Sequence, residues 1–117
     1  MDDQNKRKYP RISTNFFVKF SRDAIDSTIR QLQEGLAENC STGGMFIATD
    51  RLFSRGSVLN LEFNLNSETM PRRLIQARAI VRWIQRIVTH PGMGVEFLLF
   101  NGFGKHEFAQ QLEHLSQ

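Results

Sequence analysis

"LIQARAIVRWIQRI", residues 74–87, is the stretch from which the fold is read. Ile75, Ala77, Ala79, Val81 and Trp83 fall on one set of alternate positions, and Gln76, Arg78, Arg82 and Arg86 fall mostly on the other. Successive side chains of a β-strand point to opposite faces, so this period of two predicts a long half-buried strand. Its apolar face is turned to a core, with Trp83 among the inward residues, and its arginines point outward.

The same period appears on either side. Upstream, Phe16, Val18 and Phe20 alternate with Phe17 and Lys19, and Leu59, Leu61, Phe63 and Leu65 alternate with Asn60, Glu62 and Asn64. Further strands are predicted at about Glu34–Cys40, Met45–Thr49 and Met93–Phe100, the last with Met93, Val95, Phe97 and Leu99 sharing a face. Gly43-Gly44, Ser54-Arg55-Gly56, Ser67 to Pro71 and His90-Pro91-Gly92 supply turns. Only the end of the chain has helical spacing: Phe108, Leu112 and Leu115 lie four and three residues apart, with Glu107, Gln110 and Glu113 off that face. The segment from Ser21 to Leu32 fits either a helical turn or a loop. About six antiparallel strands and one helix predict a mainly-β fold, a small closed or nearly closed barrel. Closure removes exposed strand edges. The helix is expected to cover one opening or to pack on the wall. The expected organisation is one domain over residues 1–117, with a basic arm at 1–14, the barrel at 15–100 and the helix at 103–116.

Composition bounds the function. With 40% hydrophobic and 23% charged residues among 117, the chain can bury one core without staples. No signal peptide stands out, and no run approaches the roughly 20 apolar residues of a spanning helix, so a cytoplasmic chain with no membrane insertion is expected. The single cysteine, Cys40, has no partner for a disulfide and no CxxC companion for zinc, in keeping with a reducing compartment. Net charge is only +3, but it is unevenly spread. Lys6, Arg7, Lys8, Arg11, Lys19 and Arg22 face only Asp2 and Asp3 in the first 22 residues, and Arg72, Arg73, Arg78, Arg82 and Arg86 face no acid between Met70 and His90. Such clusters concentrate anionic ligands.

Two motifs give that anion a site. In "RKYPR", residues 7–11, Pro10 lacks an N–H and biases Tyr9 towards extended geometry, so an extended arm leads into the first strand. Arg7 and Arg11 carry planar donor forks that pair bidentately with phosphate or with the O6/N7 edge of guanine, and that stack on bases. Spacing alone does not single this pair out, because Arg-x-x-x-Arg recurs at Arg51/Arg55, Arg78/Arg82 and Arg82/Arg86. "NCSTGG", residues 39–44, places Asn39, Ser41 and Gly44 between two strands. Asn both donates and accepts along a base edge, Ser adds a hydroxyl, and Gly permits close approach or a positive φ. The same residues also make a plain turn.

Together and in this order, Arg7 and Arg11 of an RxxxR element and Asn39, Ser41 and Gly44 of a [D/N]xSxxG element resemble the PilZ domain family. "GGMFI" at 43–47, "VRWI" at 81–84 and "GMGVEF" at 92–97 add to the likeness, which runs over about residues 6 to 116. The resemblance implies a six-stranded antiparallel barrel that binds cyclic di-GMP, a bacterial second messenger with two guanines and two phosphates. Carried over, Arg7 and Arg11 would clamp phosphates and stack on guanines, Asn39 and Ser41 would hydrogen-bond guanine edges, and Gly44 would keep the turn open. Asn39 stands where the family also uses an acid, which removes a charge that could pair with guanine N1 and N2. The resemblance further implies, from the basic residue Lys6 before Arg7, a stacked pair of ligand molecules, where a bulky apolar residue there would go with a single one.

The other reactive side chains read as structure. Cys40 has no histidine near it in sequence, His106 and His114 are two helical turns apart, and Trp83 reads as core packing. The Arg78, Arg82, Arg86 face is a solvated strand face or an extension of the anion surface. No nucleophile, base and orienter occur together, and there is no phosphate loop, so the chain is expected to be no enzyme and to need no cofactor or metal. The resulting expectation is a receptor or adaptor that changes on binding cyclic di-GMP and signals to a protein partner controlling motility, attachment or exopolysaccharide. Two rivals are a PilZ-like interaction module that binds no nucleotide, and a small basic barrel for single-stranded nucleic acid. The second normally needs several exposed aromatics, and Trp83 is expected to face inward.

Overall fold

The computed structural model describes residues 16–22, 32–64 and 74–115. The expected arm at 1–14 with Lys6, Arg7 and Arg11, most of the 21–32 segment, the turn from Ser67 to Pro71 and the last two residues lie outside the described residues. Six strands precede one helix: β1 (Phe16–Arg22), β2 (Gln33–Glu38), β3 (Gly44–Ala48), β4 (Val58–Asn64), β5 (Leu74–Gln85), β6 (Gly92–Phe100) and α1 (Gly104–Leu115). All neighbours are antiparallel, and the order β1-β2-β3-β6-β5-β4 closes on itself through β4 and β1. The mainly-β barrel with a C-terminal helix expected from the period-two runs is the fold observed.

The alternation works as read in the shorter strands. Val18 and Phe20, Ala37, Met45 and Ile47, and Leu59, Leu61 and Phe63 all turn into one core. Phe17 on the opposite face of β1 is exposed. Phe108 and Leu112 bring the helix into the same core. The Phe108 ring meets Phe63 edge-on at 5.2 Å and Phe97 at 5.5 Å, and packs on Phe100 at 5.8 Å. Phe63 lies near the end of β4, and Phe97 and Phe100 in the second half of β6, so the helix covers the barrel opening at which β1, β3 and β5 begin.

Alternation fails in β5 and β6, for a definite reason. The β5–β6 register passes from Val81↔Val95 to Trp83↔Gly94 and leaves Arg82 as an extra residue. It also passes from Arg78↔Leu99 to Ala79↔Phe97, which leaves Leu98 extra in β6. Each extra residue shifts the inside–outside phase by one, because a bulge sets two residues against one. Trp83, expected inward, is therefore 44% exposed on the outer surface, and Ile84 packs on the core in its place. Leu99, expected to share a face with Met93, Val95 and Phe97, is half exposed together with Leu98.

Candidate ligand-binding site

The turn between β2 and β3 is held by its own motif residues. Asn39 is exposed and left-handed, with φ of 52°, a conformation that Asn tolerates better than most side chains. This turns Cys40 inward, where burial pushes its thiol up to about 12 and keeps it neutral in the core. Ser41 is nearly buried; its N–H donates to the Gly44 carbonyl at 2.9 Å and its Oγ accepts the Gly43 N–H at 3.1 Å. The Phe97 N–H donates to the Gly43 carbonyl at 2.9 Å and ties the turn to β6. The Ser41 hydroxyl thus spends an acceptor on the turn and keeps its proton for another acceptor.

Gly44 is not the residue of positive φ; Asn39 is, along with Gly56 and Gly102. Gly44 lies opposite Glu96 in the β3–β6 ladder, and a Cβ there would run into the carbonyl oxygen of Val95. The atom in the way is backbone, so relief requires the two strands to part. Gly44→Ala is expected to cost about 1–3 kcal/mol, the range for overpacking a close contact. Urea unfolding would measure it; an unchanged midpoint would show that β3 and β6 have room to spare.

Beside the turn runs a groove of about 470 Å³, lined by Asn39, Ser41, Gly44, Arg82, Trp83 and Glu96 among others, with Lys105 of α1 at its rim. The bulge in β5 builds its wall by sending Arg82 and Trp83 to the same side. The indole lies across the backbone of Gly94, where any Cβ would occupy the ring's place, and Phe46 lies over Gly92 in the same way. Trp83 stacks on Phe46 with centroids 5.3 Å apart and planes at 24°, and Phe46 stacks on His90 at 5.4 Å. His90 Nε2 is 3.0 Å from Glu38 Oε1. Arg82 donates from Nε to Glu96 Oε1 at 2.6 Å.

Of the site residues read from the sequence, the structure brings Asn39, Ser41 and Gly44 together on the groove, while Lys6, Arg7 and Arg11 lie outside the described residues. Phe16, the first described residue, stands opposite Ala37, two positions before Asn39, so β1 starts at the barrel end that carries the turn. The sequence reading placed Trp83 in the core and left Arg82 open between a solvated face and an extension of the anion surface; both line the groove. The signal was Gly92-x-Gly94: two glycines on one face of a strand mark a close approach, here of two aromatic rings. Among the described residues no three His, Cys, Asp or Glu side chains converge as metal ligands, and no helix is long and apolar enough to cross a membrane.

A closed six-stranded antiparallel barrel, capped by a helix and carrying a polar turn beside an outer groove, defines a class of small β-barrel domains. The chain belongs to the PilZ domain family, which matches over residues 5–111. Among solved structures it is similar to the Bacillus subtilis inhibitor of motility MotI/DgrA, with 21% identity and a TM-score of 0.76 over 94% of this chain and 51% of that one. The chain thus spans about half the length of that protein. It is also similar to the PilZ domain of YcgR from Escherichia coli with c-di-GMP, at 16% identity and a TM-score of 0.69, covering 95% of this chain and 92% of that one. A third likeness is to the PilZ domain of CeSA from a cellulose-synthesizing bacterium, at 18% identity and a TM-score of 0.56, covering 92% and 98%. No curated protein sequence matches the chain. At these identities the structural likeness concerns the fold.

Proposed function

We propose that this protein is a cyclic di-GMP receptor that binds the nucleotide in the groove beside Asn39–Gly44 and passes the bound state to a protein partner. The observation that carries the reading is the convergence of the motif turn with Trp83 and Arg82 on one groove, at the barrel end where β1 starts. Family membership supports it, as does the YcgR domain, whose structure is with c-di-GMP. From Arg11 to Phe16 is five residues, an extended reach of roughly 17 Å. That reach allows Arg7 and Arg11 to close over a ligand lying in the groove. Asn39 offers its amide to a guanine edge, Ser41 its hydroxyl proton, and Trp83 a ring face. The receptor works without turning over its ligand: it signals only as far as the partner prefers the bound form. Motility is one output in view, since MotI is an inhibitor of motility.

Titration calorimetry with cyclic di-GMP, with GTP, cyclic GMP and a short oligonucleotide as controls, tests the reading. Binding near or below about 1 μM, roughly −8 kcal/mol, confined to cyclic di-GMP, is the expected result. Two ligands per chain are expected from Lys6, and saturation at one would overturn that stoichiometry. The oligonucleotide arm matters because Trp83 proves exposed; a salt-steep, sequence-indifferent affinity would make the groove a single-strand site instead. Trp83→Ala is expected to weaken cyclic di-GMP binding by about 1–3 kcal/mol, the value of one base–aromatic stack. Undiminished affinity in that variant would remove the ring from the site.

A further inference from the structure

Among the described residues the groove contains one acidic side chain, where an anionic ligand is to be bound. Glu96 sits on the outer face of β6, opposite Gly44 of the motif turn, and its Oε1 holds Arg82 Nε at 2.6 Å. Both side chains are about half exposed, at 56% for Arg82 and 51% for Glu96, so each can be met by a ligand. Arg82 is outward by the alternation of β5, and the bulge turns Trp83 out beside it. The bond to Glu96 runs through Nε on the side edge of the planar fork, and the end edge between the two terminal amino groups is a separate pair of donors. A guanidinium oriented in this way suits a phosphate, but the adjoining carboxylate cancels its charge.

We infer that Arg82 is a ligand-contacting arginine additional to those of the arm, and that Glu96 sets the affinity of the groove by neutralising it. The inference rests on the reading of the groove as a cyclic di-GMP site. A phosphate that approaches the Arg82 fork comes close to the Glu96 carboxylate as well, and the like charges repel. Glu96 therefore orients Arg82 and weakens its hold on an anion at the same time. Glutamine separates the two effects, because its amide oxygen can still accept the Nε–H while the charge is gone.

Glu96→Gln is expected to bind cyclic di-GMP about 3- to 10-fold more tightly than the parent protein at low salt. The gain should shrink as salt rises towards 0.5 M, since exposed charges are screened. Arg82→Ala should bind more weakly than the parent, and Arg82→Lys should recover only part of the loss. Calorimetry of the four proteins at two salt concentrations reads all of this. A packing effect would not vary with salt, so a salt-independent gain overturns the inference. An affinity for Glu96→Gln equal to or below the parent's also overturns it, and a lower one would make Glu96 an acceptor for the guanine N1–H and N2–H edge. If the parent protein itself takes up no cyclic di-GMP, the reading of the groove falls and takes this inference with it. Failure of the inference alone is seen when the parent binds and Glu96→Gln binds no tighter.

Discussion

Phe108→Ala is expected to remove about 3–5 kcal/mol of folding stability, the cost of emptying a fully buried Phe site. Phe108 has no exposed surface and is held by Phe63, Phe97 and Phe100, which come from two strands at one barrel end. A helix of 12 residues is marginal on its own in water, and α1 stays folded because this face is buried. Deleting the ring opens a cavity between helix and barrel, and rigid strands collapse into it poorly. The effect should reach the site, because Phe97 packs on Phe108 and its N–H holds the Gly43 carbonyl of the motif turn. Urea unfolding followed by circular dichroism measures the loss, and the thermal midpoint should fall with it. A change below about 1 kcal/mol would mean that the helix is an appendage outside the cooperative unit.

How far the sequence could be read depended on where the chain keeps strict phase. The alternation in Phe16–Phe20 and Leu59–Phe63 is undisturbed, and those residues face as their spacing says. Pairing then follows, since six strands with one apolar face each bury it best by closing into a barrel. The bulges at Arg82 and Leu98 break that logic, because one extra residue inverts everything beyond it and leaves no composition signature of its own. "VRWI" reads equally well with Trp83 in or out. What decides is Gly94 on the facing strand, whose missing side chain gives the indole a seat on the outer surface. The turn motif was legible as residues but not as roles. Sequence gives Gly44 a choice between positive φ and close approach; the ladder to β6 makes it close approach and passes the left-handed conformation to Asn39.

The double replacement Arg7→Ala/Arg11→Ala is expected to weaken cyclic di-GMP binding by about 30-fold or more. Each guanidinium that pairs bidentately with a guanine edge contributes about 1–3 kcal/mol of discrimination, so the pair together accounts for roughly 2–6 kcal/mol if the two contacts are independent. At 1.4 kcal/mol per tenfold, a micromolar affinity would move to tens of micromolar at the least. Both residues precede the first described strand, and an arginine on an exposed arm adds little to a core, so the unliganded variant is expected to unfold at the same urea concentration as the parent. Ligand linkage supplies the contrast: a ligand that binds only the folded form raises the melting temperature. At the same cyclic di-GMP concentration the parent protein should therefore be stabilised more than the double variant. Retention of affinity within about threefold would place the phosphate contacts elsewhere. Arg82, which lines the groove, would then be the first guanidinium to test.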